Sequence, residues 1–482
     1  MRLAGIVRPH VLLIRPLCEG PEPEYAEPLG IERLAGYLHA AGAADVTLMD
    51  RRLYQRERRA GISLGSFWTD MQEACREAPP RMVGLSLMTS ADVPDALRII
   101  SRVRSYWPDV RLVAGGLFVT TNPGDAAARL PRAVTLLYGE GEAALLALVQ
   151  GEPTPDRTLS PDEWAMAYRP ALERYAALGC AVNMQTSRGC PGRCTFCATP
   201  SLAPDLRRWQ PRDLVLVADE IEAEAARLAR AGLPPVFNFV DDDFGPLLRV
   251  EALTDELARR RQRVAFALEM RVASLVSQPH LAERLVRLHK AGLTRIFMGV
   301  ESLNAQTLRQ WHKPYDVEGL PAVLAACRGA GVTVQAGYIL WHKGQTVEGA
   351  VAEVEELARL GLYSHRAAMS RLIVFEGCEL AREGSDARGL QAMDACSEEF
   401  YQRFCEQTAS LTQEWTAAAV AEPYATAQAF LMGDTRRLEG IRQTLRRVNE
   451  VSLSLFRELA HKVAEAKDSV DKTSPKAAEV TS

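Results

Sequence analysis

Short apolar runs alternate with amphipathic stretches along most of this chain, and that alternation, repeated in two series, limits the fold more than any other feature. In residues 1–150 the runs "HVLLIRPL", "AADVTLMD", "MVGLSLMT", "VRLVAGGL" and "AVTLLYGE" read as buried strands. Helical stretches such as "GIERLAGYLHAAG" and "ADVPDALRIISRVRSYW" lie between them, and in the latter Val93, Leu97, Ile100 and Val103 share one helical face. Strands separated by helices form a parallel sheet covered on both faces. The aperiodic "QGEPTPDRTLSPDEW" marks a break. A second series follows: "AVNMQTS", "PVFNFVD", "RVAFALEM", "TRIFMGVE", "VTVQAGYIL" and "SRLIVFEG". Six such units predict a partial or complete β/α barrel with its chemistry at the strand C-termini. Its first long helix carries a stripe of Leu214, Val217, Ile221, Ala225 and Leu228, with acidic residues opposite. The expected architecture is therefore α/β: a doubly wound parallel sheet over 1–155, a linker over 156–180, a barrel over 181–384, a helical region over 385–466 and a disordered tail over 467–482.

Composition narrows the setting. A chain of 482 residues exceeds one ordinary core. A net charge of -4 gives no electrostatic case for nucleic acid. No apolar run of about 18 residues occurs, and "MRLAGIVRPH" lacks the apolar core of a signal peptide. The expectation is a cytoplasmic protein with no membrane partner, whose ten cysteines are reduced thiols or ligands.

Three of those cysteines, Cys190, Cys194 and Cys197, crowd one loop with Gly189, Pro191 and Gly192, just past the first strand of the second series. A tetrahedral zinc site takes four ligands, usually as two close pairs, and the nearest further cysteine is Cys180, ten residues upstream. Three thiolates on one loop suit a cubane iron–sulfur cluster with its fourth iron open to a substrate or cofactor. The spacing Cys190-x-x-x-Cys194-x-x-Cys197, with aromatic Phe196 before the last cysteine, resembles the signature of radical S-adenosylmethionine (radical SAM) enzymes.

That resemblance implies a [4Fe–4S] cluster whose open iron binds S-adenosylmethionine, and reductive cleavage to methionine and a 5′-deoxyadenosyl radical that takes a hydrogen atom from substrate. It also implies an external low-potential electron donor of the flavodoxin or ferredoxin type and a small-molecule substrate. In "FVDDDFG", Asp241, Asp242 and Asp243 stand where the family contacts the methionine amino group; a solvated turn is the plain alternative. "EMRVASL" and "GVESLNAQTL" resemble the third and fourth strand ends, placing Arg271, Glu301 and Ser302 near the cofactor, or in structural ion pairs. "IVFEGCEL" resembles the sixth-strand segment. One stretch departs: where relatives carry a Gly-aromatic-Pro-Gly-Glu-Thr run, Trp341, His342 and Lys343 occur. They are the catalytic candidates, lining a pocket or acting as acid and base, against a repacked loop with the two basic side chains in solvent.

The first region, with "EPLGIERLAGYLHAAGAADVTLMD", "GLSLMTSADVPDAL", "VAGG" and "YGEGE", resembles the cobalamin-binding domain that precedes many radical SAM barrels. The resemblance places cobalamin against Ser86, Thr89, Gly115, Gly116, Gly139 and Glu140 at the strand C-termini. The Asp-x-His-x-x-Gly motif for a lower axial histidine is missing: Asp50 is followed by Arg51, Arg52 and Leu53, and His10 and His39 read as surface residues. Two outcomes stand open. Cobalamin-dependent methylation of an unactivated carbon in specialised metabolism would consume two S-adenosylmethionine molecules per turnover. Dehydration, deoxygenation, epimerisation or rearrangement would proceed with a vestigial cobalamin domain. A non-catalytic iron–sulfur electron carrier is the remote alternative, since a carrier has no use for an open iron. In the C-terminal region Phe400, Phe404 and Leu411 fall on one face, suggesting a helix over the barrel mouth, and Cys378, Cys396 and Cys405 read as small buried hydrophobes.

Overall fold

In the computed structural model, residues 8–19, 27–62, 65–155, 159–199, 208–276, 278–313, 315–385 and 389–473 are described. Strand β1 (His10–Arg15) is buried along its whole length. Its side chains alternate between two cores: Leu12 and Ile14 join one cluster, Val11 and Leu13 the other. An apolar strand with both faces covered is central in a parallel sheet. It pairs with β2 (Asp45–Asp50) on one side and β3 (Met82–Ser86) on the other. β4 (Arg111–Gly115) and β5 (Val134–Leu136) complete the order β2-β1-β3-β4-β5, parallel throughout. Strand order reverses at β1 and β3, the place where such sheets open a crevice at their carboxyl ends. The helix Val93–Tyr106 buries Val93, Ala96, Ile99, Ile100 and Val103, while Leu97 is exposed, so the buried stripe is rotated from the one expected. His10 is buried too, its ring bonded to the Thr47 hydroxyl and the Ala78 carbonyl; His39 is exposed.

The second sheet runs β12-β11-β10-β9-β6, again parallel. Its strands are β6 (Val182–Met184), β9 (Val236–Phe239), β10 (Ala265–Arg271), β11 (Leu293–Glu301) and β12 (Thr333–Tyr338); a short antiparallel pair, β7 (Ser187–Arg188) and β8 (Gln210–Pro211), leaves the edge. Among the described residues the sixth segment joins the sheet through one bridge, Trp341 to Arg371, so this is an open, partial barrel. Phe266, Leu268, Met270, Ile296 and Met298 face the covering helices. Toward the interior, Asn183, Asn238, Arg295 and Gln335 form a hydrogen-bonded polar layer.

The stretch expected to be a linker is tightly packed from 159 on: Leu159, Trp164, Leu172 and Tyr175 are buried, and Arg169 is 2% exposed. The Arg169 guanidinium meets Glu27, Glu32, Glu220 and Glu224, so two of the glutamates expected on the solvent face of helix Leu214–Arg230 are buried.

The C-terminal helices divide: helix Ala395–Gln407 packs beside the strand C-termini, with Phe400 against Trp341 and the Ser397 hydroxyl donating to Gln345 O at 3.0 Å, while the helices after it reach the opposite end. Tyr424 and Ala427 of helix Ala409–Met432 cluster with Val236 and Ala265, the first residues of β9 and β10, and Arg442 reaches Thr333 at the start of β12. These contacts lie at the base, opposite the strand C-termini. Phe400 and Phe404 pack against Phe456 at the flank, and the helix breaks at Thr408 before the half-buried Leu411. The last helix, Arg436–Thr473, enters the segment expected to be a disordered tail, and 474–482 lie outside the described residues.

Candidate active site between two sheets

The cysteine loop is anchored where β6 and β7 end. Gly189 has φ +78°, a left-handed conformation that glycine adopts without strain, and turns the chain into Cys190. Cys190, Cys194 and Cys197 are half-buried. A Cβ on Gly192 would lie 3.3 Å from the Cys190 sulfur, 3.8 Å from the Cys194 sulfur and 3.9 Å from Arg271 Nε. Two thiols and a guanidinium therefore bracket one spot that glycine keeps open. Gly192 N–H donates to Cys190 Sγ (3.3 Å) and Thr199 N–H to Cys197 Sγ (3.4 Å), contacts that favour thiolates. As free thiols, Cys190 is pushed up to about 11 by burial and Cys194 is also raised by burial, with Arg271 opposing in both. Binding a metal must therefore displace protons. Among the described residues no three His, Cys, Asp or Glu side chains gather closely enough for a single metal ion. A cubane asks for something wider, since each thiolate takes a different iron, and the donor set fits it.

Several expected cofactor residues border this loop. Arg271 ends β10. Glu301, at φ +63°, ends β11 and pairs with Lys313 at 2.8 Å; Lys313 in turn lies 5.9 Å from the Phe196 ring centroid. Phe196 packs edge-on against Trp311. Lys313 was not singled out from sequence, and its only signal there was a cation twelve residues beyond Glu301.

Other expectations are corrected. Ser302 is fully buried and donates to Glu353 at 3.0 Å, so its hydroxyl is committed to the hub that also binds Tyr338 and Gln345. Trp341 is fully buried, packed against Phe400, Tyr401 and Phe456 with Nε1 donating to Ala368 O at 2.8 Å. It belongs to the hydrophobic core. Lys343 is exposed, 3.5 Å from Glu383. His342 stacks edge-on against Trp311, and burial lowers its pKa.

The aspartate run separates into three environments. Asp241 is buried and accepts from the backbone and hydroxyls of Thr186 and Ser187, mostly at Oδ1, with Oδ2 taking only the Thr186 hydroxyl at 3.2 Å; burial pushes it up to about 7 against those bonds. Asp243 is buried, raised by burial and accepts from Gly245 N–H. Asp242 is exposed and bonds to Gly189 N–H (3.1 Å) and the Thr199 hydroxyl (2.9 Å).

Asp242 faces a cavity of about 370 Å³. Ser86, Gly115, Gly116, Gly139 and Glu140 line it at the carboxyl edge of the first sheet, and Gln185, Arg188, Val240 and Asp242 line it from the second. Gly116 sits at φ +101°, where an added Cβ would meet Leu87 O at 2.5 Å, so only glycine leaves the backbone its path beside the cavity. Arg188, two residues before Cys190, pairs with Glu140 and Glu142 across the domain boundary. Thr89 does not line the cavity: it is exposed and caps a turn with Asp92. Asp92 instead carries the loop, accepting from Met88 N–H and from Arg52, the residue at the position of the missing histidine.

A crevice over one parallel sheet, opening onto a three-cysteine loop over another, defines a protein built to hold a large cofactor beside an iron–sulfur cluster. Comparison with known proteins agrees: the B12 binding domain family matches residues 23–149 and the radical SAM superfamily residues 184–358. The chain therefore carries a B12-binding domain ahead of a radical SAM domain. These two domains imply a [4Fe–4S] cluster, S-adenosylmethionine and cobalamin as cofactors. Similar proteins include anaerobic magnesium-protoporphyrin IX monomethyl ester cyclase of Rubrivivax gelatinosus, 24% identical over 392 residues, covering 72% of this chain and 65% of that protein. Another is bacteriochlorophyllide d C-8(2)-methyltransferase of Chlorobaculum tepidum, 22% identical over 303 residues, covering 59% and 63%. The chain thus spans less than two-thirds of the length of either. The solved cobalamin-dependent radical SAM enzyme OxsB, with aqua-cobalamin and S-adenosylmethionine bound, shares the fold with TM-score 0.73 at 17% identity, over 93% of this chain and 72% of that one. Among the described residues no helix is long and apolar enough to cross a membrane.

Proposed function

We propose that this protein is a cobalamin-dependent radical SAM methyltransferase acting on an unactivated carbon of a small molecule. The observation that carries the reading is the shared wall. Asp242 and Arg188 belong to the cysteine-bearing domain yet line the cavity of the cobalamin-type sheet. With all three cofactors bound, the cluster supplies the electron that cleaves S-adenosylmethionine to a 5′-deoxyadenosyl radical, and cobalamin supplies a transferable methyl group.

The chain's own groups take definite parts in this reading. Cys190, Cys194 and Cys197 hold the cluster, and Gly192 keeps its space clear. Arg271 offers a cation to the methionine carboxylate, and Glu301, held by Lys313, offers a carboxylate to ribose hydroxyls. Ser86, Gly115, Gly116, Gly139 and Glu140 shape the cobalamin cavity, whose apolar walls include Leu13, Leu34, Val113 and Leu117 and exclude water from reactive centres. An external low-potential electron donor of the flavodoxin or ferredoxin type delivers the electron, and the setting is cytoplasmic. Radical ring formation or rearrangement is the second reading, favoured by the cyclase relative, whose similarity extends over more of this chain than that of the methyltransferase.

The test uses anaerobically purified full-length protein reconstituted with iron, sulfide and hydroxocobalamin. About four irons and one cobalt per chain are expected. Reduction with S-adenosylmethionine present should release S-adenosylhomocysteine, the product left when the methyl group is donated, as well as 5′-deoxyadenosine. 5′-Deoxyadenosine without S-adenosylhomocysteine would move the assignment to the second reading. Neither product would refute both.

A further inference from the structure

The middle aspartate of the "DDD" run joins two places. Its Oδ2 accepts from Gly189 N–H at 3.1 Å, immediately before Cys190, and its Oδ1 accepts from the Thr199 hydroxyl at 2.9 Å, two residues after Cys197. Thr199 also gives its N–H to the Cys197 sulfur. One carboxylate therefore clamps both ends of the segment that carries all three cysteines. Its neighbours Asp241 and Asp243 are buried at 1% and 2% exposure, whereas Asp242 is exposed where it lines the 370 Å³ cavity.

We propose that Asp242 is a positioning residue coupling occupancy of the cavity to the geometry of the cluster-binding loop, an inference that rests on cobalamin being the occupant. The physical route is solvent exclusion. Hydrogen bonds to a carboxylate strengthen as water leaves its surroundings. A ligand filling the cavity dries Asp242 and tightens its hold on Gly189 and Thr199, so the three sulfurs are confined. Linkage makes the effect reciprocal: a loop already ordered by its cluster presents Asp242 in place and raises affinity for the cavity ligand.

Reciprocity supplies a test that needs no turnover. Hydroxocobalamin is titrated by absorbance into the full chain, once without and once with the reconstituted cluster. In the wild type the cluster should lower the dissociation constant about tenfold, within the usual range of such couplings. In Asp242→Ala the two constants should agree within about twofold, the experimental scatter allowed here. Thr199→Val, which removes one of the two clamped donors, should reduce the coupling, and Thr199→Ser, which keeps the hydroxyl, should restore it. The Thr199 pair decides the matter even if Asp242→Ala does not fold. Cobalamin binding that ignores the cluster in the wild type, or coupling that survives both Asp242→Ala and Thr199→Val, overturns the inference and leaves the proposed function standing. No cobalamin binding by the wild type overturns both.

Discussion

Replacing Glu220 with glutamine should cost about 3 kcal/mol near neutral pH, while the same change at Glu32 should cost nothing or stabilise. Both glutamates are buried around Arg169, at 0% and 1% exposure, and join the cobalamin-type domain to the partial barrel. Glu220 accepts from Arg33 at 3.2 Å, Arg169 at 3.1 Å and Arg212 at 2.6 Å. Burial alone would raise its pKa, but the three guanidinium groups outweigh it and bring the carboxyl from 4.5 down to about 2. That depression is worth about 3 kcal/mol, in line with the cost of breaking a buried pair. Its sign is that of a depressed acid: the stability is present above pH 4.5 and is lost as pH falls toward 2. Glu32 has the opposite sign. Burial first, and the neighbouring Glu27 next, raise it well above 4.5. Its proton is taken up on folding, so its contribution is full below pH 4.5 and is lost as pH rises through the raised value. Glutamine mimics the protonated form, which is why Glu32→Gln should be tolerated. Equilibrium urea unfolding of wild type, Glu220→Gln and Glu32→Gln at pH 7.5 and pH 5, followed by circular dichroism, measures the differences. A Glu220→Gln loss below about 1 kcal/mol, or a Glu32→Gln loss equal to it, would refute this account of the network.

Three further outcomes are expected. Gly116→Ala forces a side chain into a backbone conformation costing about 1–3 kcal/mol and against Leu87 O, so the loop shifts and the hydroxocobalamin dissociation constant rises about tenfold or more, read by absorbance titration. Trp341→Ala empties a fully buried site and should lower stability by about 3–5 kcal/mol, whereas Lys343→Ala, in solvent, should stay within about 0.5 kcal/mol; thermal unfolding separates them. Alanine at Cys190, Cys194 or Cys197 should drop iron well below the about four atoms per chain of a complete cubane, measured by mass spectrometry after anaerobic reconstitution.

The two sheets and the cysteine loop were legible because their signals are local. β1 declares itself by four consecutive apolar residues, Val11 to Ile14, between His10 and Arg15, and the thiols by their spacing alone. Leu97 shows the limit of periodicity. A spacing of four from Val93 fits one face of a helix, but the buried face passes through Ala96 and Ile99, and a small residue at the centre of the interface carried no signal. Glu220 and Glu224 show a different limit. On an amphipathic helix, glutamate reads as solvent-facing, and only the guanidinium of Arg169, 51 residues away from Glu220, makes burial tolerable. That arginine sits in the segment 156–180, expected to be a linker. Trp341 has a related history: at a strand end it has the look of a pocket wall, and its ring is covered by Phe400 and Phe456, 59 and 115 residues further on, a pairing that no local pattern announces.

The aspartate run carries this furthest. Three identical side chains in consecutive positions at the end of β9 share composition, and family resemblance treats them as interchangeable candidates for an ammonium group. At a strand end the backbone leaves the pleat, so alternation no longer tells which way each points. Orientation is decided by donors 54 or 55 residues upstream: Thr186 and Ser187 claim Asp241, and Gly189, 53 residues upstream, claims Asp242. The donors belong to the strand pair and turn that deliver the cysteines, so the same contacts that orient the aspartates also set the loop. Asp241 is consumed by that task, whereas Asp242 does it while still facing the cavity, and only the latter is placed to report one cofactor's presence to the other's ligands.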